Sequence, residues 1–183
     1  MSTSILLDTE TLGLSPTSII TEIAAIAFTI GEDSTPFITD HLDLRPDFWE
    51  QLTAGRTFDA DTIAFHRKHG TLPNIQSPII NNQSMACIEA ITELTAFIRE
   101  HNPRHIWIQG TDFDRPLLEN FCGAHNQPLP WKYSISRDAR TAYALANPGQ
   151  YPAKRPHKAL EDCQATLADL TAALTKLNAL TSI

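Results

Sequence analysis

Three apolar, β-branched runs crowd the first 44 residues, and the breaks between them are too short to hold a helix. Ser4 to Glu10 (SILLDTE) reads as a short buried strand that runs into carboxylates. Ile19 to Ile30 (IITEIAAIAFTI) is long enough for a second strand, with a turn expected at Gly31-Glu32-Asp33. Phe37 to Leu44 (FITDHLDL) alternates apolar and polar residues, as a strand with one wet face does. Strands in sequence with tight connections predict an antiparallel meander. Helical patterns then take over. Asp59 opens one that stops at Gly70, and a longer one spans Ser84 to His101, with Cys87, Ile88, Ile91, Leu94 and Ile98 on one face. Arg104 to Gln109 (RHIWIQ) reads as a strand ended by Gly110, followed by a helix from Arg115 to His125 with Pro116 in its first turn. The last helix carries Leu160, Cys163, Leu167, Leu170, Leu174 and Leu177 on a stripe that predicts packing against a sheet. The sum is one α/β domain over residues 1–183, with a mixed central sheet, a three-strand antiparallel meander plus parallel strands, flanked by helices.

A chain of 183 residues that is 42% hydrophobic and 19% charged can bury one core, and it is neither collagen-like, disordered nor a disulfide-stapled miniprotein. Cys87, Cys122 and Cys163 are odd in number and widely spaced, which fits reduced thiols in the cytoplasm. The N-terminus lacks a basic leader, and the longest apolar stretch, 23–30, falls far short of the ~20 residues of a membrane helix. A net charge of −7 argues against a basic nucleic-acid coat protein, though a total says nothing of local patches.

The acids fall in three informative places. Asp8 and Glu10 stand two apart on a strand, so their side chains share a face, and two carboxylates that close repel unless a cation lies between them. Hard divalent ions prefer such oxygen ligands. An isolated Asp-x-Glu is otherwise an exposed strand end. Asp114 follows the strand at 104–109, at the edge where α/β sheets place their sites; read alone it could equally cap a helix, although Asp112 is the nearer cap. His157 is the one histidine of seven with an acid, Asp162, five residues on, and it leaves a Pro-flanked loop at the mouth of the last helix. Lys132, Arg137, Arg140, Lys154, Arg155 and Lys158 face a single acid within residues 132–158, a local +5 suited to phosphate. His66 and His69 share a helix face but have no cysteine or third histidine nearby, which disfavours zinc. Asp59 reads as structural.

In order, D-T-E-T at 8–11, F-D at 113–114 and H-x-A-x-x-D at 157–162 resemble the DEDD superfamily of 3′→5′ exonucleases, the DnaQ-like group, in its histidine-bearing DEDDh branch. Trp107 to Asp114 and Arg137-Asp138-Ala139-Arg140-Thr141 narrow the resemblance to a compact phage and bacterial exoribonuclease-like subfamily. That subfamily has Asn where Gln109 stands and a Trp pair where Phe65-His66 stands. The resemblance implies an RNase H-like fold and a two-metal hydrolase using Mg²⁺ or Mn²⁺. Asp8, Glu10, Asp114 and Asp162 would hold the metals, and His157 would act as the base. It further implies that Thr9 and Thr11 bind the terminal nucleotide and that Leu12 wedges against its base. Phe113 would stack, unless it is core. Arg137, Arg140 and Lys158 would meet phosphates. The expected substrate is a single-stranded or overhanging 3′ end, RNA ahead of DNA, with nucleoside 5′-monophosphates released. A homodimer is implied by the resemblance alone. The rivals are an exodeoxyribonuclease, an endonuclease sharing the fold, and a catalytically silent nucleic-acid-binding or scaffold module.

Overall fold

The computed structural model describes residues 2–31, 35–72, 84–152 and 154–181. In chain order its elements are β1 (Ser4–Thr11), β2 (Ile20–Ile30), β3 (Pro36–Leu44), α1 (Phe48–Thr53), α2 (Ala60–His69) and α3 (Cys87–His101). They continue with β4 (His105–Ile108), α4 (Thr111–Ala124), a 3₁₀ turn (Tyr133–Ile135), β5 (Ser136–Asp138), α5 (Ala139–Ala146) and α6 (Ala159–Thr181). The sheet order is β3-β2-β1-β4-β5. The meander is antiparallel, while β1–β4 and β4–β5 pair in parallel; the strand at β4 was expected from the sequence and β5 was not. The turn expected at Glu32-Asp33 lies outside the described residues. Among the described residues no helix is long and apolar enough to cross a membrane.

The period of two along the strands divides the core into two layers. Ile5, Leu7, Ile23, Ala25, Ile106 and Ile108 face one layer, with α3 and α4. Leu6, Ala24, Ile26 and Phe28 face the other, with α5 and α6. Both faces of β1 are therefore covered, and its run is continuously apolar until the polar residues begin at Asp8. Cys163, Leu167 and Leu170 of α6 are buried against that second layer, with Leu160 and Leu174 partly so.

Several boundaries differ from the sequence reading, each for a local reason. Helix α4 begins at Thr111, four residues before the expected start, so Pro116 sits inside it. Its ring removes the donor to the Asp112 carbonyl, on a residue that is exposed. Asp112 is not the cap: Gly110 is, at φ 136°, and the Asp138 carboxylate accepts from Thr111 N at 3.2 Å. Helix α3 begins at Cys87, not Ser84, and Ile88 is 44% exposed, off the buried face. β3 is an edge strand that keeps the expected one wet face only in its C-terminal half, where Leu42 and Leu44 turn to the core; Phe37 and Ile38 stand in solvent.

Candidate active site

β1 delivers its acids by simple alternation. Asp8 and Glu10 follow Leu6 on the α6 face, past the last apolar position. α6 approaches the same face and supplies Asp162 from its first turn, while His157 stands two residues before the helix. Asp114, on α4, comes from the opposite layer and reaches over the sheet edge. It is fixed there by Thr9, whose backbone N and hydroxyl both donate to Asp114 Oδ1, at 3.1 and 2.5 Å. All five residues line one cleft of about 590 Å³.

The closest grouping is Glu10, His157 and Asp162, whose ligand-type atoms lie within 4.8 Å of one another. Asp8 belongs to the same electrostatic cluster. Burial, then Asp114, Glu10 and Asp162, push its carboxyl well above the ordinary range. Burial and the charges of Asp162 and Glu22 raise Glu10 to about 8. Burial also raises Asp114 and Asp162, each to about 6, against the lowering effect of the Thr9 bonds on the first and of Arg155 on the second. Four acids all raised above the ordinary carboxylate range mark a site short of positive charge. Asp162 Oδ1 is moreover buried with no hydrogen-bond partner. An all-oxygen set with one imidazole at its rim and an orphaned carboxylate oxygen inside it fits a hard divalent cation.

His157 is held by its surroundings. Its backbone lies in the left-handed region at φ 61°, a conformation that costs a non-glycine residue ~1–3 kcal/mol. The ring packs edge-on against Phe65 at 4.7 Å between centroids and beside His69 at 5.5 Å. Burial, with His69 and His66 nearby, lowers its pKa below the ordinary imidazole value. That shift favours the neutral ring over the charged one.

His66 does not pair with His69 as a zinc ligand. It is buried, and Nε2 meets the Thr11 carbonyl at 2.9 Å while Nδ1 meets the Thr71 hydroxyl at 2.9 Å. The carbonyl can only accept, so Nε2 carries the hydrogen. This bond ties α2 to the end of β1. The hydroxyl of Thr11 is itself committed to the Gly13 carbonyl at 2.7 Å.

The residues expected to touch substrate divide accordingly. Thr9, Phe113 and Arg140 line the cleft. Leu12 does not: it is fully buried, with its backbone bonded to Ile19 and Asp59, and cannot wedge against a base. Leu14, two residues on, is by contrast 77% exposed. With Thr9, Thr11, Phe65, His66 and Phe113 it lines a mainly apolar pocket of about 670 Å³ that opens beside the carboxylates. Gly13 permits the turn between them, since a Cβ there would meet Ser18 Oγ at 2.6 Å. Arg137 points away, donating to the carbonyls of Ser134 and Ser136. Lys158 is exposed and paired with Glu161 at 2.8 Å.

Four contributors were given no role at the site by the sequence reading, although Gln109 and Asp138 stand in the strings that carry the resemblance. Gln109 Oε1 accepts from Arg155 Nε at 3.1 Å and Thr166 Oγ1 at 2.8 Å, and its carbonyl accepts from Arg140 at 3.0 Å. The residue that departs from the subfamily pattern thus positions both arginines of the cleft. Asp169 holds Arg155 at 2.7 Å. Glu22 faces Glu10 across the β1–β2 ladder and accepts from Ala159 N at 2.9 Å, capping α6. Asp138 caps α5 through Thr141 N at 2.7 Å while also holding α4. Glu22 and Asp169 were passed over, and the one signal that could have found Glu22 is its place as an acid on the strand next to β1.

Residues 3–174 match the model of the family described as 3'-5' exoribonuclease Rv2179c-like domain. Among solved structures, E. coli exonuclease I in complex with a dA16 oligonucleotide is similar at 14% identity and a TM-score of 0.67. The alignment covers 97% of this chain and 41% of that one, so the chain spans about two fifths of the length of exonuclease I. The zinc-bound E. coli exonuclease I–ssDNA complex gives 16% identity and a TM-score of 0.64, covering 97% and 41%. Exonuclease X in complex with 5' overhanging duplex DNA is 19% identical with a TM-score of 0.55, over 94% of this chain and 91% of that one. At these identities the likeness is one of fold, and the fold is that of the RNase H-like exonucleases, as the motif order implies. No curated protein sequence matches the chain.

Proposed function

The chain belongs to the family of 3'-5' exoribonuclease Rv2179c-like domains, and on that premise we propose that it shortens single-stranded RNA from the 3' end. The products are nucleoside 5'-monophosphates, and overhangs are accepted as well as free strands. The observation that carries this reading is the convergence of Asp8, Glu10, Asp114, Asp162 and His157 on one cleft, with an apolar pocket at its side.

Asp8, Glu10, Asp114 and Asp162 would hold two divalent ions, Mg²⁺ or Mn²⁺. Bound there, such ions supply positive charge to the attacking and leaving oxygens of a phosphodiester. The chain's own residues do the rest. His157 accepts the proton of the attacking water at its neutral ring, held in place by Phe65 and His69. Arg140 and Arg155, aimed by Gln109, present positive charge to phosphate at the cleft wall. Leu14, Phe65 and Phe113 offer apolar surface for the terminal base, which stacks at ~1–3 kcal/mol per base. Thr9 keeps Asp114 turned into the cleft.

The test is a side-by-side digestion of matched RNA and DNA oligonucleotides, single-stranded and with 3' overhangs, in the presence of Mg²⁺ or Mn²⁺. Faster loss of RNA from the 3' end supports the proposal. Faster loss of DNA makes the enzyme an exodeoxyribonuclease, and cleavage of a circular strand makes it an endonuclease. Binding without cleavage of either strand leaves only a nucleic-acid-binding module.

A further inference from the structure

Away from the cleft, three metal-ligand side chains from distant parts of the chain meet at the other end of α4. Glu50 comes from α1, Cys87 is the first residue of α3, and His125 is the C-cap of α4. Their ligand-type atoms lie within 4.8 Å of one another. His125 stands 11 positions beyond Asp114, which places it ~16 Å further along the helix at 1.5 Å per residue. This is a different site from the carboxylate cleft.

Ordinary packing accounts for part of the arrangement. Glu50 Oε2 accepts from Cys87 N at 2.8 Å, capping a helix whose N-cap residue is an alanine. The Cys87 thiol, fully buried, lies 3.7 Å from the Asp47 carbonyl, a weak bond at best. Packing accounts for the His125 ring, which lies edge-on to Phe121 at 5.6 Å between centroids, but not for its polar edge. Its Nε2 is buried with no hydrogen-bond partner, although an unpartnered buried polar atom is costly and rare. The segment that carries Glu50 is pinned to the segment that carries Cys87 by paired backbone bonds, Asp47 N to Met85 O at 2.8 Å and Met85 N to Arg45 O at 3.0 Å. The cluster is therefore not a chance meeting of loose surface chains.

We propose that Glu50, Cys87 and His125 form a second metal site, for a zinc-class divalent ion, that clips α1, α3 and α4 together. The donor set is one thiolate, one imidazole and one carboxylate, which suits borderline ions such as Zn²⁺ and not the hard ions of the cleft. Charge balances: thiolate and carboxylate offset the two positive charges, and the proton displaced from Sγ passes to solvent. Without the ion, burial and Glu50 push the thiol up to about 12, so Cys87 stays protonated. Tetrahedral bonds of ~2.0–2.3 Å put ligand atoms ~3.5 Å apart, so binding asks for a closure of about an ångström. Glu50 and His125 are only half-buried, and His125 sits at the end of its helix, where such a movement is easiest. The fourth position is left to water. Clipping the C-terminal end of α4 would also steady the helix that presents Asp114.

The test uses Co²⁺ and Zn²⁺ on the metal-stripped whole chain. Co²⁺ bound by a thiolate gives a near-ultraviolet charge-transfer band that oxygen ligands in the cleft cannot produce. The band should appear at one equivalent, persist in Asp8→Asn and Cys122→Ala, and vanish in Cys87→Ala. In His125→Gln it should weaken and require at least ~10-fold more metal. In the Asp8→Asn background, Zn²⁺ at 100 times its dissociation constant should raise Tm by about 5–10 °C. Absence of the band in the wild-type chain overturns the proposal, as does its survival in Cys87→Ala. Should Cys87→Ala prove misfolded by circular dichroism, an unchanged titration in His125→Gln overturns it equally. Exonuclease activity plays no part in these readings, so the two proposals stand or fall separately.

Discussion

Replacing Glu10 by Gln should stabilise the metal-free protein, and only above a definite pH. Glu10 titrates near 4.5 in an unfolded chain and near 8 in the folded one, where burial, Asp162 and Glu22 oppose its charge. A carboxyl raised in this way favours the folded state fully below pH 4.5, and that advantage is lost as pH rises from about 4.5 to about 8. A displacement of that size corresponds to a ceiling of ~5 kcal/mol at 1.36 kcal/mol per pH unit. Glu10 still meets some solvent, and relaxation of neighbouring acids relieves part of the repulsion, so about 2 kcal/mol is the working magnitude. For a chain of this length that is ~4–8 °C in Tm. The assay is thermal unfolding of both proteins in a chelating buffer at pH 5 and pH 8. Glu10→Gln should melt higher at pH 8 and within about a degree or two of wild type at pH 5. Saturating Mg²⁺ or Mn²⁺ should then reverse the order at pH 8, because the variant has lost a ligand. A Glu10→Gln variant less stable than wild type at pH 8 without metal would refute the claim that the acids strain one another.

Mg²⁺ or Mn²⁺ should raise the melting temperature of wild type, and Asp8→Asn should lose most of that rise; an equal rise in both would place the ion elsewhere. His157→Ala should lower kcat by ~10²–10⁴ with an unchanged far-ultraviolet spectrum and unchanged metal-induced stabilisation, measured by single-turnover digestion. Leu12 and Leu14 should separate cleanly. Leu12→Ala empties a buried position and should cost ~2–5 kcal/mol of stability by denaturant unfolding. Leu14→Ala should leave stability within ~0.5 kcal/mol and raise KM, because its side chain faces the apolar pocket. Reversed effects would return the wedge to Leu12.

The sequence made the chemistry more legible than the scaffold around it. Asp8 and Glu10 needed only the period of two along a strand, and Asp162 only its place one turn into a helix; no tertiary knowledge enters either inference. The parallel pairing of β5 was not visible, because Ser136-Arg137-Asp138 has no apolar residue and is a strand only through its ladder to β4. The start of α4 was hidden for a related reason. The carboxylate that accepts from its first N–H is 27 residues away, on Asp138, while the local signal at Pro116 pointed four residues too late. The exchange of Leu12 for Leu14 has the same origin. Both are leucines in one loop, and which is buried depends on the bonds from Leu12 to Ile19 and Asp59. Charge was legible in total but not in use. Arg137 and Lys158, counted towards a basic patch, are occupied by carbonyls and by Glu161, whereas Arg155, held by Gln109 and Asp169, lines the cleft.

The most direct measurement is a time course on 5'-labelled single-stranded RNA with Mg²⁺, resolved to single nucleotides, for wild type, Asp8→Ala and His157→Ala. If the five residues form the catalytic centre of a 3'→5' exonuclease, wild type yields a ladder that shortens one nucleotide at a time from the 3' end. Asp8→Ala then leaves the strand intact over the same period, and His157→Ala slows the ladder by ~10²-fold or more. A ladder from Asp8→Ala as fast as that of wild type would contradict the assignment of the site.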